Sequence, residues 1–74
     1  MTSAAIAPAA PPVRRVAPPS VPYRPASSGE RVFDVRSGRW GAFMGWAHGL
    51  AFLRPLNGGI EWDTEARWIS NIEQ

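Results

Sequence analysis

The uneven distribution of proline is the feature that most constrains how this chain can fold. Seven of its eight prolines lie at or before Pro25. Proline lacks a backbone N–H and moves the residue before it out of the helical region, so neither a helix nor a strand ladder is expected there. Residues 1–29 are therefore predicted to be a disordered Pro/Ala-rich tail with polyproline II character. From Glu30 onward proline nearly vanishes, and residues 30–74 are predicted to form one small domain.

Short alternating segments in this second part indicate β-structure. The segment "RVFDVR" places Phe33 and Val35 on one side and Asp34 and Arg36 on the other. No segment after Glu30 keeps a helical apolar period for more than about two turns, which disfavours an all-helical fold. Strands are predicted at 31–36, 39–47, 50–56, 60–63 and 68–72, with one helical or 3-10 turn at 64–67.

Turn residues separate the predicted strands. Asn57-Gly58-Gly59 is a strong turn signal, because Asn and Gly tolerate the positive φ that tight hairpin turns require. Gly41 and Gly45 lie inside the second strand, where glycine usually marks a bulge or a close approach of backbones. In the fourth strand, Ile60 and Trp62 are predicted to point inward. These signals predict an all-β fold, a small five-stranded SH3-like barrel or a bent meander.

The sequence offers little for catalysis. It has no cysteine and a single histidine, His48, so a Cys-based metal site and a lone-His zinc site are excluded. Glu61 and Asp63 are two residues apart and project together, but acids on such a strand normally form its solvated face. A domain of about 45 residues also leaves little volume for a catalytic pocket. We therefore expect a non-enzymatic protein with no cofactor, no metal and no small-molecule substrate.

Net charge changes at the same position along the chain as proline content does. Residues 1–29 carry three arginines and no acid, giving +3, whereas residues 30–74 carry five arginines against six acids, giving −1. The tail arginines are Arg14, Arg15 and Arg24. Nucleic-acid binding through this tail and an aromatic stacking surface is thus a disfavoured alternative function. No segment is apolar enough to span a membrane, and a cytoplasmic location is expected.

Aromatic residues suggest an interaction surface. Four Trp and three Phe fall within residues 33–68, more than so small a barrel can enclose. If Ala51 and Leu53 face inward, the other face of the third strand is also apolar. The predicted protein-binding residues are Trp46, Leu50, Phe52 and Arg54. The partner would be another protein or a second copy of the chain. The alternatives are that bulges at Gly41 and Gly45 turn the extra aromatics inward, or that the Trp rings lie flat over a thin core.

The tail contains a further recognition pattern. Pro19-x-x-Pro22-x-Arg24 matches a ligand pattern of SH3 domains, and Pro19, Pro22 and Pro25 are spaced three apart, along one edge of a polyproline helix. On composition this stretch is expected to be a bare spacer, and specific peptide recognition is the alternative.

Three motifs carry a resemblance. "GRWGAFMG" (38–45), "LRPLNGG" (53–59) and "EWD" (61–63) resemble a group of small actinobacterial proteins of unassigned function. The resemblance covers about residues 30–70 and implies a compact β fold. "SGRWGAFM" (37–44) also looks like the core of a KOW-type SH3-like module of ribosomal and transcription-elongation proteins. Those modules are usually basic, whereas residues 30–74 are not, which counts against RNA or ribosome binding.

Overall fold

Five antiparallel strands form one curled sheet, a half-barrel, in the computed structural model, which describes residues 16–73. Its elements are β1 (Arg31–Asp34), β2 (Arg39–Ala47), β3 (Leu50–Pro55), β4 (Trp62–Glu65), a 3-10 turn (Ala66–Trp68) and β5 (Ile69–Ser70). The strand order is β4-β3-β2-β1-β5, so β1 is an inner strand between β2 and β5. The predicted all-β fold with one 3-10 turn before the last strand is confirmed.

The inner, concave face of the sheet holds the apolar core. Its buried members are Val32, Phe43, Ala51, Leu53 and Ile69, with the half-buried Tyr23, Trp46 and Trp62 packed against them. Burying a side chain of this size contributes about 1.5–3 kcal/mol. The core therefore draws on all five strands and on one residue that precedes the first strand.

The β3–β4 connection begins as the sequence predicts and then runs longer. The Gly58 N–H donates to the Pro55 carbonyl at 3.1 Å, and Gly58 adopts a φ of +84°, so the Asn-Gly-Gly corner is confirmed. β4 then starts at Trp62, two residues later than predicted. The prediction that Ile60 points inward is wrong, because Ile60 lies in the connection and is 88% exposed. The inner positions of β4 are Trp62 and Thr64.

A β-bulge in β2 decides where its aromatic residues point. Phe43 pairs with Leu53 and Gly45 pairs with Phe52, which makes Met44 the extra residue. Gly45 takes a φ of +149°, a conformation that favours glycine. Residues three apart in a regular strand face opposite sides, but the bulge puts both Phe43 and Trp46 on the inner face, with ring centroids 5.2 Å apart.

Gly41 serves a different purpose, namely close packing. A Cβ at this position would lie 2.7 Å from Cη2 of Trp62 and 3.1 Å from the Arg54 carbonyl oxygen. Gly41 continues the regular pairing with Val32, so there is no bulge here. Of the two bulges considered from the sequence, the one at Gly45 is confirmed and the one at Gly41 is wrong.

β1 is buried on both faces. The predicted alternation holds, with Phe33 and Asp34 on opposite faces. Asp34 lies on the inner face, where it pairs with Ile69 and is only 2% exposed. On the outer face Phe33 is also buried, with its ring 5.2 Å from that of Trp40. Trp62 and Thr64 of β4 and Ser37 of the following turn lie against the carboxylate of Asp34 and keep it from water.

Residues 22–29, here called the strap, lie against the sheet. The Tyr23 N–H donates to the Ile69 carbonyl at 2.9 Å, and the Gly29 N–H donates to the Phe43 carbonyl at 2.6 Å. Pro25 is buried. The packed structure thus extends before the boundary that composition placed at Glu30, and residues 1–15 of the predicted tail lie outside the described residues. Nothing helical in residues 16–73 is long and apolar enough to cross a membrane.

Candidate protein-binding surface

The four residues predicted to bind a partner fall on two faces. Leu50, Phe52 and Arg54 lie on the outer, convex face of β3, because they alternate with the buried Ala51 and with Leu53. We call these three residues the outer strip. Trp46 pairs with Ala51 and therefore shares the inner face with it. The structure brings three of the four predicted residues together and separates Trp46 from them.

The neighbours of the outer strip explain why it is only half-covered. Leu50 is opposite Ala47 on β2, and Phe52 is opposite Gly45. A residue on the neighbouring strand shields a side chain only as far as its own side chain reaches, and Gly45 and Ala47 are the two smallest residue types. Leu50 and Phe52 are accordingly half-buried rather than buried.

Acidic residues border the outer strip along β4. Glu65 is opposite Leu50 and Asp63 is opposite Phe52, and both acids are exposed. Glu65 pairs with Arg67 at 2.9 Å, whereas Asp63 forms no ion pair within residues 16–73. The strip is therefore an apolar surface with a negative rim.

An ion pair and an exposed isoleucine continue this surface toward the β3–β4 connection. Arg54 donates from both Nε and Nη2 to Oε2 of Glu61, the shorter distance being 2.8 Å. The two side chains are 54% and 46% exposed, so the pair stabilises the fold by no more than about 1 kcal/mol. Ile60, which precedes Glu61 in the connection, is 88% exposed.

Trp46 belongs to a second surface, a groove between the strap and the 3-10 turn. The Arg24 guanidinium lies over the Trp46 ring, 4.5 Å from its centroid. A cavity of about 310 Å³ remains between strap and sheet, lined by Pro22, Tyr23, Arg24, Trp46, Ala66 and Arg67. The sequence singled out Trp46 but not Tyr23, although the Tyr-Arg pair between two prolines was the available signal.

Asp34 is a structural residue that the sequence did not reveal. Its Oδ1 accepts from the Arg36 N–H at 3.1 Å and from Thr64 Oγ1 at 3.2 Å. Its Oδ2 accepts from Ser37 Oγ at 2.8 Å and from Trp62 Nε1 at 2.9 Å. Four donors around one buried carboxylate join β1, the turn after it and β4, and they leave no acceptor position open for a substrate.

The carboxylate pair considered for catalysis does not form a joint site. Glu61 lies before β4 and is held by Arg54, while Asp63 is exposed on β4 itself. No cluster of three His or acidic residues that could hold a metal ion occurs in the described part of the chain. His48 is exposed in the β2–β3 turn with a φ of +54°, as expected for a surface turn residue.

Three arginines cover tryptophan rings in this structure. Besides Arg24 over Trp46, Arg39 lies 3.8 Å from the Trp62 centroid and Arg67 lies 5.3 Å from the Trp68 centroid. Such cation–π contacts contribute about 0.5–1 kcal/mol each at exposed sites. They also occupy ring surfaces that would otherwise be open to a ligand.

Comparison of the chain with protein families, with curated proteins and with solved structures gave no match. The geometry of the molecule itself therefore carries the functional argument.

Proposed function

We propose that this chain is a non-enzymatic protein-binding module, an adaptor that binds another protein or a second copy of itself through the outer strip. The observation that carries the proposal is the pair of Leu50 and Phe52 on the outer face of β3, which are only partly buried opposite Ala47 and Gly45. Apolar side chains that a sheet leaves uncovered mark protein contacts when they form a contiguous surface with a polar rim.

The strand arrangement supports an SH3-like assignment for this module. An inner β1 between β2 and β5, with a 3-10 turn directly before β5, is the arrangement expected of a small SH3-like barrel. The resemblance of the motifs at 38–45 and 53–59 to small actinobacterial proteins fits the same compact β fold. We further propose a cytoplasmic location, which a cysteine-free sequence supports.

The rim indicates what kind of partner fits. Asp63, which has no ion pair within the described residues, borders Phe52 with negative charge, and Glu65 beside Leu50 is paired with Arg67. A partner surface with an apolar centre and Lys or Arg at its margin would complement this arrangement, and the charges would guide orientation more than affinity. Phe52 and Leu50 would supply the buried contact area, and Arg54 a polar neighbour.

Nucleic-acid binding is the weaker alternative. Stacking of bases requires open aromatic faces, but arginines lie over the rings of Trp46, Trp62 and Trp68. The domain from residue 30 onward carries a net charge of −1, which repels phosphate. Of the tail arginines that would provide phosphate contacts, Arg24 is engaged with Trp46, and Arg14 and Arg15 lie outside the described residues.

The test compares the wild-type chain with Phe52→Asp, which places a charge in the centre of the strip. Sedimentation velocity over a range of concentrations measures self-association, and affinity capture with quantitative mass spectrometry measures partner recovery. We expect Phe52→Asp to abolish either the self-association or the recovery of at least one partner. Leu50→Gln, a milder change in the same strip, should weaken the same interaction.

Ile72→Asp is the matched control, because Ile72 is 59% exposed and follows β5, at the opposite edge of the sheet. This variant should behave as the wild type. A wild-type chain that stays monomeric, together with identical protein recovery from wild type and a folded Phe52→Asp, would overturn the proposal. Anisotropy of a labelled single-stranded oligonucleotide at low and high salt tests the alternative, and steeply salt-dependent binding would favour nucleic acid instead.

A further inference from the structure

The chain already binds one proline-rich peptide, namely its own strap. The sequence pattern Pro19-x-x-Pro22-x-Arg24 runs into the strap, where Arg24 covers the ring of Trp46 at 4.5 Å and the following Pro25 is buried. Tyr23, which lies between Pro22 and Arg24 in the sequence, packs against the core. Prolines, an aromatic residue and an arginine within four positions thus meet a tryptophan-bearing groove, a combination used in the recognition of extended proline-rich segments.

Main-chain contact adds to this side-chain recognition. The Tyr23 N–H donates to the carbonyl of Ile69, a residue of β5 at the edge of the sheet. An extended peptide that pairs with a sheet edge gains affinity from its backbone and specificity from its side chains. The strap therefore contacts the sheet as a separate peptide ligand would.

The strap does not fill the groove. Three of its residues and three residues of the sheet and 3-10 turn enclose the remaining cavity of about 310 Å³. Ala66 contributes only a methyl group to this wall, and Arg24 forms no ion pair with any described residue. This cavity is partly open to solvent, so a longer or bulkier side chain than those of the strap would bury more apolar surface here.

Few interactions hold the strap in place at this point. Between Pro22 and Pro25 they are one main-chain hydrogen bond to Ile69, one cation–π contact, the buried Pro25, and the Tyr23 side chain, which packs against the core and whose hydroxyl donates to Glu30. Segments with so few contacts open with a much smaller free energy than the whole fold does. The occupied groove is therefore accessible to a competing peptide.

We propose that the groove formed by Trp46, the 3-10 turn and the β5 edge is a binding site for an extended proline-rich segment of another chain that carries an aromatic-arginine pair between its prolines. Residues 22–25 occupy this site in cis and compete with that partner. The site lies on the inner side of the sheet, apart from the outer strip, so it is independent of the proposed function above.

The experiment uses the full chain and a fluorescent peptide with the sequence of residues 17–27, followed by anisotropy. The wild type should bind weakly, because the tethered strap competes at a high effective concentration. The variant Arg24→Ala in the full chain loses the cation–π contact of its own strap and should bind the peptide about twofold to fivefold more tightly. Leu56→Gln should bind the peptide as the wild type does, because Leu56 is 44% exposed in the β3–β4 connection and belongs neither to the groove nor to the outer strip.

Changes in the peptide keep the test independent of protein folding. The peptide carrying Arg24→Ala should bind the Arg24→Ala chain about twofold to fivefold more weakly than the unchanged peptide. A scrambled peptide of the same composition should not bind. Trp46→Leu in the chain should remove peptide binding, and its unfolding curve shows whether it is folded.

Two results would overturn the proposal. One is the absence of saturable binding of the peptide to the Arg24→Ala chain. The other is equal binding of the unchanged and scrambled peptides. Neither result bears on the outer strip, whose test depends on Phe52, and failure there would leave the peptide result unaffected.

Discussion

At the scale of single residues, Asp34 is the side chain whose placement is hardest to read from the sequence. Alternation shows that it faces away from Phe33, but it does not show which face is the core. The groups that make its burial possible, Trp62 and Thr64, are 28 and 30 residues further along the chain. A buried carboxylate is tolerated only where donors surround it, and this sequence supplies them from β4 and from the turn after β1.

We predict that Asp34→Asn is almost as destabilising as Asp34→Ala, with a loss of about 2–4 kcal/mol in each case. Each carboxylate oxygen accepts from one group that cannot itself accept, the Arg36 N–H on Oδ1 and Trp62 Nε1–H on Oδ2. In either orientation the amide nitrogen of Asn would face one of these N–H groups. Urea unfolding of the full chain measures the loss.

Asp63→Asn is the matched control for that measurement. Asp63 is exposed on β4 and forms no ion pair within the described residues, so the change should alter stability by less than about 0.5 kcal/mol. If Asp34→Asn proved as mild as this control, the buried network would not have the importance we assign to it.

At the scale of elements, β2 shows what can and cannot be predicted. Its bounds, Arg39–Ala47, agree with the sequence pattern because turn residues flank it on both sides. The role of each glycine could not be decided in advance, since both a bulge and a close approach call for glycine. Gly45 lies in the bulge and Gly41 lies under Trp62, a contact that only the paired β3 and β4 strands create.

We predict that Gly41→Ala destabilises the protein by about 1–3 kcal/mol through overpacking. The added methyl group would meet Trp62 Cη2 at 2.7 Å, so the indole must move and its bond to Asp34 must weaken. Urea unfolding should report the loss, and the indole N–H resonance of Trp62 should shift in NMR spectra.

Gly58→Ala serves for comparison, since Gly58 has a φ of +84° and nothing within 4 Å of an added Cβ. It should cost stability through backbone strain alone and leave the Trp62 resonance in place. A Gly41→Ala spectrum with an unmoved Trp62 signal would contradict the packing explanation.

At the scale of the whole molecule, the strap packs against the sheet, whereas composition predicted a disordered tail up to residue 29. Proline content correctly excludes regular helix and strand over the described residues 16–29, but it does not exclude packing. Tyr23 and Pro25 find partners that are distant in sequence, and such contacts leave no periodic signal. The outer strip was predictable in part, because the alternation within β3 is local, whereas the inward turn of Trp46 depends on the bulge.

We predict that the strap opens without the sheet. In native-state hydrogen exchange followed by NMR, the amide of Tyr23, which bonds only to the edge residue Ile69, should exchange at least about tenfold faster than that of Phe43. The Phe43 amide donates to the Glu30 carbonyl within the β1–β2 side of the sheet. Equal protection of the two amides would mean that strap and sheet unfold together.

The free edge of the sheet limits how copies of this molecule can meet. β4 is the terminal strand on one side, and its outward residues are Asp63 and Glu65. If two such strands approached antiparallel, carboxylates would stand opposite carboxylates, an arrangement that repels before backbone bonds can form. Growth into an extended fibrillar ladder is thereby discouraged along that border, and contact between molecules is directed to the broad surfaces of the half-barrel.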